Sequence, residues 1–475
     1  MNHYEDRFSL FDRILQTAAL VCFSAHLVSA LIFHKALYAD GAGFFIGATT
    51  HIFDGWSWWW YSDTNHLRLY IDIINQLPLK MAVSVGVTDL RWLRLAFGAP
   101  LYLNGLIVLG WTLLVCRRHQ CAHLFTLALA THILFIVPSE IFAINQARLS
   151  MDIYWLLLVY ILSPAKLSKT DVLVTALFLP IIFKSHETII PCGAIIFAIS
   201  IIQWRRKVPD WGIKLVIGGA VASACAFGIY WQMTHPVAAA TSGYLRTITY
   251  FSFKDLFKTP LGFAWFPACM IFVFGIRYTD ARFTSTRSRA IFWCLLGLPV
   301  VLGFLPLANF KYVQPTKEFG LRVLITAGGC GVMVFAAILH LKQEFGRLKL
   351  KSIFLILCAT VIGESVWQMS MTARWNEFSK GVSYVTDNSP TPVATREQVD
   401  AYLKANSAEK TLIFEWGWAY PVLGLALGSS RSVSTVIRPL HHLEWFKISL
   451  SGSAIGRIPF QETSDKYFDF SPFKR

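Results

Sequence analysis

Charge is what this chain has least of. Asp, Glu, Lys and Arg together make up 15% of its 475 residues, against 55% hydrophobic types, and the mean hydropathy is +0.49. So small a polar complement cannot coat a water-soluble fold of this length, so lipid must solvate much of the surface. Acidic residues are the scarcer sign, 28 against 43 basic ones, for a formal net charge of +15. The basic excess sits in short clusters between apolar runs, and no basic-aromatic recognition module interrupts them, so nucleic acid is not an expected partner. Cysteine is missing where a secreted framework would need it: all nine, from Cys22 to Cys358, lie in or at the ends of apolar runs. No disulfide framework and no zinc-type spacing follows. A Walker loop, a dinucleotide fingerprint, a nucleophile elbow, a fixed-period repeat and low-complexity tracts are absent as well.

What the chain does have is a succession of apolar runs, at 14–32, 95–116, 121–138, 150–163, 171–183, 189–204, 212–232, 261–276, 290–308, 321–341 and 352–369. At roughly 20 residues per crossing they read as an all-α polytopic membrane protein with about 11 transmembrane helices. The first run is longer than a signal-peptide core and lacks a small-x-small cleavage site, so a retained signal anchor is expected and the mature chain should begin near Met1. The runs between 150 and 204 are too short for upright helices, which implies broken or shallow helices packed inside protein around a cavity. The clusters at Arg7 and Arg13, Arg117 and Arg118, Lys166 and Lys169, 205–207, 277–289 and 342–351 fall on one side if the spans alternate. That register places the N terminus in the cytoplasm of a plasma (inner) membrane protein and everything past about residue 370 outside.

The chain thus divides into a transmembrane domain, 1–369, and a small α/β extracytoplasmic C-terminal domain, 370–475. In the latter, Asp387-Asn388-Ser389-Pro390 signals a turn, 395–405 a helix, and Thr411-Leu412-Ile413-Phe414 a β-like run. Glu415-Trp416-Gly417-Trp418 reads first as a membrane-surface anchor and second as a sugar-stacking patch. The first outer loop, about 35–93, is rich in aromatic residues and is expected to hold one or two interfacial helices. Within it Trp56, Trp59 and His51 are candidates for acceptor or sugar stacking, the alternative being an aromatic belt at headgroup depth.

Asp40 stands just past the first span, in Leu37-Tyr38-Ala39-Asp40-Gly41, and a second acid follows the third span in Pro138-Ser139-Glu140. This arrangement resembles the GT-C superfamily of integral-membrane glycosyltransferases, which includes protein O-mannosyltransferases, oligosaccharyltransferases and aminoarabinose transferases. The resemblance covers the topology and those two short motifs. It implies a polyprenyl-phosphate-linked sugar as donor and an envelope glycan, lipid or protein as acceptor. It further implies that Asp40 serves as base or acceptor-orienting group and that Glu140 is the second catalytic acid. This chain departs from the paired acidic motif of many members in having a single aspartate in the first loop. Some members use a divalent metal and others none, so His186 and Glu187 in Ser185-His186-Glu187-Thr188 are candidate ligands or supporting groups.

The chemistry agrees with that implication. Attack of a hydroxyl on the anomeric carbon of a lipid-linked sugar needs a base at the hydroxyl and cations on the departing phosphate, which leaves already ionised. Arg148, Lys317, Arg322 and Tyr312 are the candidate phosphate-binding residues, with Lys184 and Lys311 beside them, since each falls at an outer helix end. Glu140 has a rival role in an internal ion pair with Arg148. Two other classes compete. A flippase or secondary transporter would show inverted repeats and charges near mid-membrane, where Glu364 alone stands out. An O-antigen polymerase or ligase would show a large Arg-rich outer loop, and 232–260, with Tyr244, Arg246, Lys254 and Lys258, is only moderate.

Overall fold

The computed structural model describes residues 10–50, 67–235, 297, 300–302, 304, 306–307, 321–342, 350–390, 393–415, 420–428 and 436–438. The described chain is mostly helical. In order it forms α1 (Leu10–Ile32), α2 (Gly41–Thr50), α3 (Leu69–Ser84), α4 (Leu90–Arg118), α5 (Ala122–Thr131), α6 (Gln146–Leu162), α7 (Lys169–Ile182), α8 (Ile189–Arg205), α9 (Trp211–Thr234), α10 (Leu321–Lys342) and α11 (Leu350–Asp387). Beyond α11 come β1 (Val393–Thr395), α12 (Arg396–Ala405), α13 (Tyr420–Leu427) and β2 (Val436–Arg438), the two short strands pairing in parallel.

Six stretches are long and apolar enough to cross a membrane: Asp12–Ile32, Leu90–Arg118, Ala122–Ser139, Trp211–Thr234, Leu324–Lys342 and Phe354–Asp387. The apolar runs at 261–276 and 290–308 lie wholly or largely outside the described residues. The third stretch is not a regular α-helix throughout: after Thr131 it loosens into a π turn (His132–Ile136) and then tightens into a 3-10 turn (Val137–Ser139). Such a change of winding re-aims the side chains that follow it.

Helix α6 is the centre of the bundle. All 17 of its residues are buried, because α3, α4, α5, α8, α9 and α10 surround it. Its apolar half, from Ile153 to Leu162, tolerates enclosure on every side, whereas Gln146, Arg148, Ser150 and Asp152 crowd into the first two turns. Those four polar groups therefore enter the protein interior with nowhere to go except one another, other helices or a ligand.

The segment 35–93, expected as the first outer loop, holds two described helices, α2 and α3. Helix α3 buries Asp72, Asn75 and Gln76 against α4 and α6 and exposes Tyr70, Leu77 and Met81. Ile71, Leu79 and Val83 are buried beside them, so the inner face is mixed, while an outer face carrying Tyr70, Leu77 and Met81 suits an element that meets hydrocarbon.

Helix α11, at 1.5 Å per residue, is about 57 Å long, roughly twice a 30 Å hydrocarbon layer. It runs unbroken through the 369/370 boundary expected from the sequence and stops at the turn beginning with Asp387. Its far half carries α12, α13 and the segment Glu409–Phe414. That segment, expected to be β-like, is a 3-10 helix instead. Four apolar residues form a strand only with a partner. Here the backbone bonds are local, Thr411 N to Ala408 O at 2.9 Å and Glu415 N to Leu412 O at 3.0 Å, and Phe414 packs on Trp375 and Phe378 of α11.

Candidate functional site

Asp40 sits at the end of a tight turn. His34 and Ala39, both non-glycine, adopt left-handed backbone conformations with φ 50° and 57°. Each costs on the order of 1–2 kcal/mol, so the surroundings must over-determine the turn. They do so at three points. A Cβ on Gly41 would lie 1.8 Å from the Ala36 carbonyl oxygen, so only glycine fits there. Trp375 Nε1 donates to the Phe33 carbonyl at 3.0 Å. The Tyr38 ring packs among Phe142, Trp375 and Phe414 at centroid distances of 5.3–5.5 Å. Asp40 itself is half-buried, and its carbonyl accepts from Phe44 N in the first turn of α2.

The same turn is tied to the segment carrying Glu140. Lys35 Nζ, fully buried, donates to Gln368 Oε1 at 2.8 Å, and Gln368 Nε2 donates in turn to the Val137 and Pro138 carbonyls at 3.0 and 3.1 Å. One glutamine of α11 thus holds the end of α1 and the end of the third span in register.

Below this clamp lies a buried charge centre. Glu140 forms an ion pair with Arg148 and meets His26 of α1, whose Nε2 is 2.7 Å from Oε2, although the ring nitrogen is out of line for a well-directed hydrogen bond. Burial alone would raise the Glu140 carboxyl; the neighbouring Arg148 and His26 outweigh it and hold the group well below the usual carboxylate range. Tyr102 of α4 lies beneath the Arg148 guanidinium, 5.4 Å from ring centroid to Cζ. One turn along α6, Asp152 Oδ1 meets His132 Nδ1 at 3.2 Å, and its other oxygen approaches Gly105 so closely that a Cβ there would be 2.7 Å away. Glu364 of α11, 3% exposed, completes the group.

Several of these polar atoms are unmatched. Among the described residues, Nε and Nη1 of Arg148, Oδ2 of Asp152, both carboxyl oxygens of Glu364 and the Tyr102 hydroxyl have no hydrogen-bond partner. Arg148 is the most telling, since a guanidinium only 5% exposed has two of its three nitrogens idle. It also occupies the first turn of α6, where the backbone N–H groups present a partial positive charge. A guanidinium with idle nitrogens at a helix N-terminus can hold an anion, and Glu140 is the anion it meets here.

A second cluster joins the first through Gln146, two residues before Arg148. Gln146 Nε2 donates to Asp72 Oδ1 of α3 at 3.0 Å, and Asn104 Nδ2 to Asn75 Oδ1 at 2.9 Å. Burial pushes the Asp72 carboxyl up to about 7, only partly opposed by the Gln146 bond and by Arg68. Glu187 behaves oppositely: burial would raise it, but Arg68 at 3.2 Å and His186 at 3.4 Å bring it down to about 2. Among the described residues no group of three His, Cys, Asp or Glu side chains is placed to hold a metal ion. Glu187, flanked by His186, forms a salt bridge with Arg68 that pins the start of α3, together with the backbone bond from Tyr70 N to Lys184 O at 3.0 Å.

The structure thus brings Glu140 and Arg148 into direct contact and ties their segment to the Asp40 turn. Lys184 lies over the Trp231 ring at 4.1 Å. Arg322 starts α10, and its side chain is outside the described residues, as are Lys317, Tyr312, Lys311, Trp56, Trp59 and His51 altogether. Sequence reasoning missed His26, Tyr102, His132, Asp152, Lys35, Gln368 and Asp72. The available signal was the presence of ionisable residues inside apolar runs, His26 in 14–32, His132 in 121–138 and Asp152 in 150–163, which is costly in lipid unless used. No protein family, characterised protein or solved structure matches this chain.

Proposed function

We propose that the protein is a membrane glycosyltransferase of GT-C type that moves a sugar from a polyprenyl-phosphate carrier to an acceptor of the cell envelope, a glycan, lipid or protein, on the outer side of the membrane. The reading includes about 11 spans, a cytoplasmic N terminus in a plasma (inner) membrane and C-terminal elements outside. The observation that carries it is Arg148: a buried guanidinium with two unmatched nitrogens, at the N-terminal turn of an enclosed helix, paired with Glu140, whose segment is tied through Gln368 to Lys35 in the turn that leads to Asp40.

In this reading Asp40 accepts the proton of the attacking hydroxyl. The acceptor oxygen bonds to the anomeric carbon as the bond to the carrier phosphate breaks, with inversion at that carbon. The phosphate leaves ionised, and Arg148 offers its Nε and Nη1 to it, with Lys317, Arg322 and Tyr312 as further contacts. Glu140, held ionised by Arg148 and His26, is too weak a base to share Asp40's task near neutral pH. Its part is to fix the plane of Arg148, as bidentate phosphate recognition requires.

A second reading draws on one observation: His26, His132, Asp152 and Glu364 are ionisable, buried and carried on apolar helices, as in proton-coupled carriers. One experiment separates the two. Purified protein in detergent, where no gradient exists, is given a lipid-linked sugar and an envelope-glycan acceptor. Transfer by the wild type, lost in Asp40→Asn and in the double variant Glu140→Leu with Arg148→Met, with expression and thermal stability retained, supports the enzyme. Absence of conversion by the wild type, with uptake of the lipid-linked sugar in proteoliposomes that depends on a pH gradient, rejects it. Arg322→Ala should weaken donor binding more than acceptor binding.

A further inference from the structure

Away from the charge centre, a cavity of about 570 Å³ lies between α1, α4 and α5. That is within the roughly 300–1,000 Å³ range of small-ligand sites. Its walls are apolar, with Phe23, Leu106, Leu109, Phe125 and Leu129 among them. At one end three polar groups gather: Arg13 and Gln16 of α1, and Arg117 of α4. Arg117 Nη2 donates to Gln16 Oε1 at 3.0 Å, which orients the Gln16 amide so that its Nε2 is buried with no hydrogen-bond partner among the described residues. The nearby acid Asp12 is 5% exposed and accepts from Thr126 at 3.0 Å, and among the described residues at this end Arg13 and Arg117 outnumber it. Arg118 is turned away, to Asp171 at 2.8 Å. Leu20, lining the cavity, is 68% exposed, so the cavity opens sideways, where hydrocarbon would lie.

A groove with an apolar bore, a lateral opening and a cationic, amide-bearing mouth has the polarity of one molecule: an acyl chain with an anionic head. We propose that this cavity binds an anionic phospholipid, its phosphate between Arg13 and Arg117 with Gln16 Nε2 as an added donor, and one acyl chain along Phe23 and Leu106. Basic pockets between membrane helices select such headgroups by charge. Arg13 precedes His26 by thirteen residues, about 20 Å along α1, so this mouth is at the opposite end of the helix from the Glu140 centre and the site is distinct from it. The inner end of the bore reaches Phe23, whose ring is 5.0 Å from that of His132, so the chain terminus stops one side chain short of the charge centre.

The test is native mass spectrometry of the full chain in detergent, titrated with phosphatidylglycerol or phosphatidylcholine of identical acyl chains. The wild type should retain one phosphatidylglycerol per chain with a preference over phosphatidylcholine of roughly thirtyfold, at about fivefold per arginine. Arg13→Gln with Arg117→Gln should abolish the preference while leaving weak binding of both lipids. Gly110 lines the bore and an added Cβ there meets nothing within 4 Å, so Gly110→Leu should fold and block retention of both lipids. Equal affinity for the two lipids in the wild type, or undiminished retention in Gly110→Leu, would overturn the proposal. So would displacement of phosphatidylglycerol by inorganic phosphate alone, which would reduce the site to its headgroup contacts.

Discussion

Replacing Glu140 by glutamine tests the heart of the site, because the substitution keeps shape and removes only charge. Arg148 would then be a buried cation without its direct counter-ion, and breaking a buried pair by removing one partner costs about 3–5 kcal/mol. Asp152, one turn along α6, faces Arg148 electrostatically and softens the loss, so the expected value is at the lower end, about 3 kcal/mol. Glu140→Leu combined with Arg148→Met removes both desolvated charges and should return to within ~1 kcal/mol of wild type. The assay is equilibrium unfolding in mixed detergent micelles, followed by helical circular dichroism, alongside sugar transfer. If both groups were only structural, the double variant would be stable and active; with Arg148 on the donor phosphate it should be stable and inactive. A loss under ~1 kcal/mol for Glu140→Gln would refute the reasoning, because Arg148 would then not depend on Glu140. The pH dependence has a fixed sign. Glu140 is depressed in the fold, so its contribution is complete above the unfolded value of roughly 4.3 and fades as pH falls below it; between pH 6 and 8 it is constant.

Asp72 should show the opposite slope. Its folded value of about 7 exceeds the unfolded ~3.9, so its own contribution is most favourable below pH ~4 and falls by a few kcal/mol as pH rises to 7; Asp72→Asn should remove that component from pH-dependent unfolding. Gly41→Ala should prevent formation of the Asp40 turn, since its Cβ would collide with backbone rather than with a movable side chain, and the readout is loss of folded protein in size-exclusion chromatography. Ala39→Gly relieves a left-handed alanine and should be neutral or raise stability by up to ~1 kcal/mol. Trp375→Ala removes a fully buried indole and its bond to Phe33 O, for a loss of about 3–5 kcal/mol in the same unfolding assay.

How much of this was legible without coordinates differs by element. The capping box of α12, Thr395 with Gln398, is a local device, and the sequence places that helix to within a residue. The stop of α11 at Asp387 is equally local. The ion pair of Glu140 with Arg148 spans only eight residues, across a single turn between two helices, and was foreseeable as an alternative role. By contrast the expected boundary at 369/370 rests on declining hydropathy, which says where lipid ends and not where a helix ends. Polar residues such as Gln368, Thr372 and Ser379 lower hydropathy but continue α11, because protein packs around them in place of lipid.

The sequence by itself determined the solvent and the class: a chain with so little charge, arranged in apolar runs, must be helical in lipid so that each backbone polar group is satisfied within its own segment. Only the tertiary structure decided that His26, Tyr102, His132, Glu140, Arg148, Asp152 and Glu364 share one interior. Hydropathy sums neighbours along the chain, whereas convergence depends on how each helix is rotated about its axis, which is fixed by contacts between residues far apart in sequence. The joining of the Asp40 turn to the Glu140 segment through Gln368, 333 residues from Lys35, is of that kind.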